Sequence, residues 1–192
     1  MRIVQTLGWL ACVVYSTIPS FWFMVHPRPG YWRRHRSPFR IVGPTWILMW
    51  FVVGVITARW RTAAAYSSHW SWIPAAGLFL LGAYLYRHAG AHFSLAQVGG
   101  LPEVRANHRD DRLVTSGIRG HVRHPIYLAH LCEMFAWAFG TGLLVCWILT
   151  GFAIATGAVM IRMEDAELER RFGEEFRRYR DSVGAVLPRL RA

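Results

Sequence analysis

Five apolar runs constrain this chain more than any other feature: Leu7–Val25, Ile41–Ala58, Trp72–Tyr86, Ile126–Phe139 and Leu143–Ile161, with arginine-bearing segments between all but the last two. A hydrocarbon core about 30 Å thick is crossed by about 20 helical residues. The first, second and fifth runs approach that length, and the third and fourth are shorter. The first run lacks a clear small-residue cleavage site, so it reads as a retained membrane helix and not a signal peptide. The pattern predicts an all-α integral membrane protein with about five transmembrane helices in a single domain, residues 1–192. Residues 1–70 hold the two amino-terminal spans, and residues 71–192 hold the part with polar content.

Charge sets the expected orientation. All 22 basic residues are arginine, and no Asp or Glu precedes Glu103. A net charge of +11 is compatible with nucleic-acid binding, but these arginines sit between apolar runs, so membrane orientation accounts for them better and no nucleic acid is expected. With five spans, 19 of the 22 fall on one side and only Arg2, Arg59 and Arg61 on the other. The positive-inside rule makes the richer side cytoplasmic. The amino terminus is then outside, the carboxy terminus inside, and the expected location a bacterial or archaeal inner membrane. Cys12, Cys132 and Cys146 lie within apolar runs without a metal-site spacing, and read as small buried hydrophobes.

Polar chemistry is concentrated around the last two runs. The stretch from Arg87 to Arg123 leads into Arg123-His124-Pro125-Ile126-Tyr127. Pro125 suits the first turn of a helix and disfavours helical geometry at His124, so the fourth span is expected to start there. A helix start carries unbonded N–H groups and partial positive charge, which hold a carboxylate. Tyr127 lies one turn from His124. Gly140-Thr141-Gly142 makes a tight turn between the fourth and fifth runs. Glu164 and Asp165 follow the fifth run, and a hairpin returns them to the side of His124. They suit an ammonium group or ribose hydroxyls. Beyond them Leu168, Phe172, Phe176, Tyr179 and Val183 recur at helical spacing, which predicts one amphipathic helix against the membrane face. Glu167 with Arg171 and Glu174 with Arg178 have favourable i,i+4 spacing on it.

Two further signals involve ionisable side chains in or beside the apolar runs. Glu133 is the one carboxylate inside an apolar run, with His130 one turn before it. An ionisable residue within a span is a functional candidate by default; the alternative is a hydrogen-bonded pair inside the bundle. His88 and His92 have i,i+4 spacing but no neighbouring carboxylate, so an interface role is preferred and no metal is expected.

Taken in order, Leu113-Val114-Thr115-Ser116-Gly117, then Arg123-His124-Pro125-Ile126-Tyr127, then Glu164-Asp165-x-x-Leu168-x-x-x-Phe172-Gly173-x-x-Phe176-x-x-Tyr179, the motifs resemble those of the isoprenylcysteine carboxyl methyltransferase family of integral membrane methyltransferases. The resemblance covers roughly residues 80 to 190. It implies a cytoplasmic S-adenosylmethionine site built by the loop before the fourth span and the amphipathic carboxy-terminal helix. By motif position, Leu113, Val114, His124, Pro125, Ile126, Tyr127, Glu164 and Asp165 are the expected cofactor contacts. A lipophilic acceptor (a prenylcysteine-like carboxylate, a thiol or a lipid amine) enters from the bilayer, and Glu133, Arg162 and Tyr127 are the expected catalytic residues. Two positions depart from the family pattern. Met160 stands where many members have Arg, and Arg119 where many have Tyr, so the acceptor need not be a prenylcysteine. Two alternatives share this topology: a membrane sensor or nitrogen-oxide-metabolism protein without methyltransferase activity, and an enzyme resembling the sterol reductases that uses NADPH.

Overall fold

The computed structural model describes residues 2–25, 39–90 and 112–189, together with Pro27 and Tyr31. Among these residues the secondary structure is helical, with no strand and only two isolated β-bridges. The α-helices are α1 (Arg2–Ser16), α2 (Ile18–Val25), α3 (Phe39–Thr57), α4 (Trp72–Gly90), α5 (Pro125–Thr141), α6 (Leu144–Phe172) and α7 (Glu174–Ser182). Short 3-10 turns occupy Ala58–Trp60, His69–Ser71 and Gly117–Gly120. Three stretches are long and apolar enough to cross a membrane: Arg2–Val25, Arg40–Trp60 and Leu144–Phe172.

Helix α5 is the centre of the bundle. Its buried set includes Ala129, Cys132, Ala136 and Gly140 along one line and Met134, Ala138 and Thr141 along another. Small residues on two faces let neighbours approach from both sides. Helix α4 meets it with a stripe of Ala75, Gly82, Leu85 and Ala89. Helix α1 turns Trp9, Cys12 and Val13 toward Met134 and Ala138 of α5 and Cys146, Leu149 and Ala153 of α6. The indole N–H of buried Trp9 donates to Thr57 Oγ1 at 2.9 Å and ties α1 to the end of α3. Helix α3 is apolar on its outward side as well, exposing Ile47, Leu48, Phe51, Val52, Val55 and Ile56. A surface of this kind suits lipid and not water.

The turn between α5 and α6 is dictated by glycine. Gly142 has φ +67°, and a Cβ there would lie 2.2 Å from the Tyr66 carbonyl oxygen. The Ala65 N–H donates to Gly142 O, the Leu144 N–H to Ala63 O, both at 2.9 Å, and the Tyr66 hydroxyl to Phe139 O at 2.9 Å.

The spans differ from expectation at their ends. The first run is two helices, because the chain breaks at Thr17 before Pro19. Helix α4 runs to Gly90, four residues past Tyr86. Helix α6 does not stop at Ile161 but continues to Phe172, carrying Arg162, Glu164, Asp165 and Leu168 on the same rod. The single amphipathic helix expected after it is divided at Gly173, which adopts φ +54° and starts α7. The apolar stripe nevertheless converges: Phe176, Tyr179 and Val183 pack with Leu113, Leu168 and Phe172. Glu169 meets Arg177 at 2.7 Å and Arg180 at 2.5 Å, ion pairs that span the break and fix α7 against α6.

Candidate functional site

The site is built at the start of α5. Pro125 occupies the first helical turn and His124 the N-cap, whose side chain does not cap the helix. His124 is only 4% exposed. Its position is set by backbone: the Arg123 N–H donates to Gly184 O and the His124 N–H to Ala185 O, both at 2.8 Å, beside a parallel bridge from Val122 to Gly184. The chain after α7 thus folds back along the segment that enters α5.

With the backbone held there, His124 meets the acidic pair of α6. His124 Nε2 lies 2.9 Å from Asp165 Oδ1, and Nδ1 lies 3.4 Å from Glu164 Oε2. Arg123 donates to the other oxygen of Asp165 at 2.7 Å. It also donates to the carbonyls of Arg180, at 3.1 Å, and Val183. Arg119 donates to Arg123 O at 3.0 Å, and the Tyr179 hydroxyl donates to Arg119 O at 2.7 Å. The two motifs, 41 residues apart, are one network.

The network decides the charge on His124. Burial pushes its pKa down, but the negative charge of Glu164 and the hydrogen bonds to Asp165 and Glu164 outweigh burial and raise it from 6.5 to about 9. His124 is an imidazolium at neutral pH, which agrees with carboxylates facing both ring nitrogens. Burial lowers the Arg119 pKa, and Glu164 opposes that shift. Two cations, Arg123 and His124, therefore face two carboxylates. Both Asp165 oxygens are occupied internally, whereas the Glu164 side chain is 27% exposed.

From His124 a line of rings runs into the bundle. The rings of His124 and Tyr127 lie 5.7 Å apart, and those of Tyr127 and His130 6.2 Å apart. His130 is flanked by Tyr15 of α1 at 5.3 Å and Tyr86 of α4 at 5.5 Å. The Tyr127 hydroxyl donates to the sulfur of fully buried Met160 at 3.0 Å. Glu133 points its carboxyl at α4: a Cβ on Gly82 would lie 2.7 Å from Glu133 Oε1. Gly82 is where α4 leaves room for that carboxyl.

The residues expected from sequence divide clearly. His124, Pro125, Tyr127, Glu164 and Asp165 come together. Ile126 is half-buried on the first turn of α5. Leu113 packs on α7, and Val114 is half-buried beside it in sequence. Arg162 is exposed on α6. His92 lies outside the described residues, as does most of the Arg87–Arg123 stretch. Tyr15 and Tyr86 were missed, since a tyrosine in an apolar run looks like an interface anchor until its partner on another helix is known. The Gly184–Ala185 return was missed because a pairing of two residues leaves no periodic pattern.

Comparisons with protein-family models, curated proteins and solved structures found no match for this chain.

Proposed function

We propose that this chain is an integral membrane methyltransferase that uses S-adenosylmethionine and methylates a small lipophilic acceptor. The observation that carries the reading is the joining of His124, at the uncapped start of α5, to the acidic pair of α6. The motif resemblance gives it a ligand. The donor set fits the zwitterionic end of that cofactor and its ribose. The α5 N-terminus, with no side-chain cap from His124, suits a carboxylate. Glu164, partly exposed at the same place, suits an ammonium group or a ribose diol. When bound, the cofactor supplies an electrophilic methyl on a sulfonium whose thioether leaves without an acid.

The protein's part is then to bind, position and exclude water. Asp165 does not reach outward. Held by Arg123 and His124, it fixes the start of α5 relative to α6, and so is a positioning residue. Leu113 and α7 close over the α6 side. Tyr127, held by Met160, is the first polar group on the path from the site into the bundle, and Glu133 is the next carboxylate along it. Arg162, being exposed, is assigned a role at the membrane edge.

The reading includes five crossings. Helices α4 and α5 are about 28 and 26 Å long at roughly 1.5 Å per residue, close to the roughly 30 Å of a hydrocarbon core. Five crossings place the arginine-rich segments and the His124 site on the cytoplasmic face.

Purified protein should bind S-adenosylhomocysteine saturably, and it should transfer a labelled methyl group to at least one acceptor from a panel of prenylated thiols, lipid amines and phenols. A sensor or a nicotinamide enzyme on the same scaffold would show neither.

A further inference from the structure

The interior polar cluster points to the class of acceptor. Tyr15, Tyr86 and Tyr127 surround His130, and Glu133 follows His130 by one helical turn. These residues come from α1, α4 and α5, and all five side chains are neither fully buried nor fully exposed. Polar groups within spans are costly to keep and mark sites or pathways. The cluster continues inward from His124 through Tyr127, so a lipophile seated there reaches toward the proposed cofactor site.

Its chemistry selects among acceptors. A carboxylate or thiolate would arrive as an anion and would need a cation. Glu133 is the wrong sign, Arg87 beside Tyr86 is exposed, and the cations at the start of α5, Arg119, Arg123 and His124, are engaged with backbone carbonyls, Asp165 and Glu164. A neutral acceptor with a removable proton fits better. Three tyrosine rings and an imidazole favour an aromatic body. A phenol also needs what an anion does not, a base beside its oxygen.

We propose that the acceptor is a lipophilic phenol and that His130 is the base that takes its proton. This rests on the methyl-transfer reading above. The phenol oxygen gains the methyl as the C–S bond of the donor breaks and the electron pair stays on sulfur. The phenol proton passes to an imidazole nitrogen of His130. Glu133 compensates the charge that develops on the ring, and Gly82 keeps the space in which its carboxyl lies. Tyr15 and Tyr86 flank the acceptor ring.

The test uses full-length protein in lipid nanodiscs and three readouts. The first is binding of S-adenosylhomocysteine. The second is binding, without methyl donor, of a long-chain alkyl nitrophenol whose phenolate absorbs visible light. The third is methyl transfer to a series of alkyl phenols of rising acidity and to a prenylcysteine. Wild type should bind the nitrophenol with a rise in phenolate absorbance. His130→Gln should abolish that rise and lower transfer to weakly acidic phenols by about 100-fold or more. It should leave S-adenosylhomocysteine affinity within about twofold, well under the tenfold that 1.4 kcal/mol would produce. The defect should shrink for phenols acidic enough to arrive ionised, which a merely structural role of His130 would not give. Tyr86→Phe, a milder change, should weaken nitrophenol binding with the same pattern. Methylation of the prenylcysteine but not of phenols would overturn the proposal, as would a His130→Gln variant that matches wild type on every phenol. If wild type fails to bind S-adenosylhomocysteine but shows the His130-dependent nitrophenol signal, the methyl-transfer reading falls and the phenol site stands.

Discussion

At each end of the α5–α6 hairpin a loop is fastened to a helix terminus by a single β-bridge, Ala64 to Leu143 at one end and Val122 to Gly184 at the other. At the Gly142 end the fastening is backbone and two neutral hydroxyls, Tyr66 to Phe139 O and Ser71 to Gly140 O, and the nearby Arg59 lies over the Trp60 ring. At the His124 end the same kind of bridge is surrounded by Arg119, Arg123, His124, Glu164 and Asp165. The first end shows that closing this hairpin requires no buried charge. Desolvating ions costs several kcal/mol each, and a buried pair often contributes no more than packed hydrophobes would. The charges at the second end tie α5 to α6, and the proposed ligand gives them a role beyond closing the hairpin.

Substitutions break the two ends differently. Asp165→Asn removes the carboxylate shared by Arg123 and His124, and leaves buried positive charge without its counter-ion. It should cost roughly 3–5 kcal/mol, seen as a lowered unfolding midpoint in detergent, and should abolish S-adenosylhomocysteine binding. The pH dependence should be confined to the same end. The raised pKa of His124 contributes stability that is complete below about 6.5 and is lost as pH rises through about 9. That loss, at most roughly 3 kcal/mol, should disappear in His124→Asn, measured by unfolding at a series of pH values. If His124→Asn keeps the full pH dependence, the carboxylates do not hold the imidazolium.

Smaller effects sharpen the contrast. Gly142→Ala forces a side chain into φ +67° and against the Tyr66 carbonyl. It should cost about 1–3 kcal/mol and leave S-adenosylhomocysteine affinity unchanged. Tyr127→Phe loses the hydroxyl contact to Met160. It should lower stability by less than about 1 kcal/mol, so any large loss of methyl transfer in that variant would belong to the site and not to the fold.

Much of this contrast could be read from the chain, and the unread part has physical reasons. Pro125 and the paired glycines marked the start of α5 and the hairpin turn, because both residue types restrict the backbone locally. The hairpin then brought His124 and the acidic pair together by geometry alone. The continuation of α6 to Phe172 was not legible, since the apolar run ends near Arg162 while Glu, Ala, Leu and Arg continue to favour a helix. The break at Gly173 was hidden because the apolar residues keep a step of three or four across it. The engagement of Asp165 by Arg123 depends on the return of Gly184 and Ala185, a contact with no sequence period. Tyr15, Tyr86 and His130 meet only through the packing of α1, α4 and α5.

The central claim is that the His124 end is a ligand site and the Gly142 end is not. Equilibrium binding of S-adenosylhomocysteine to the purified wild-type, His124→Ala and Gly142→Ala proteins tests it most directly. Wild type should bind saturably, His124→Ala should bind about tenfold or more weakly, equivalent to at least about 1.4 kcal/mol, and Gly142→Ala should keep wild-type affinity. Absence of saturable binding to folded wild-type protein, or equal affinity in wild type and His124→Ala, would contradict it.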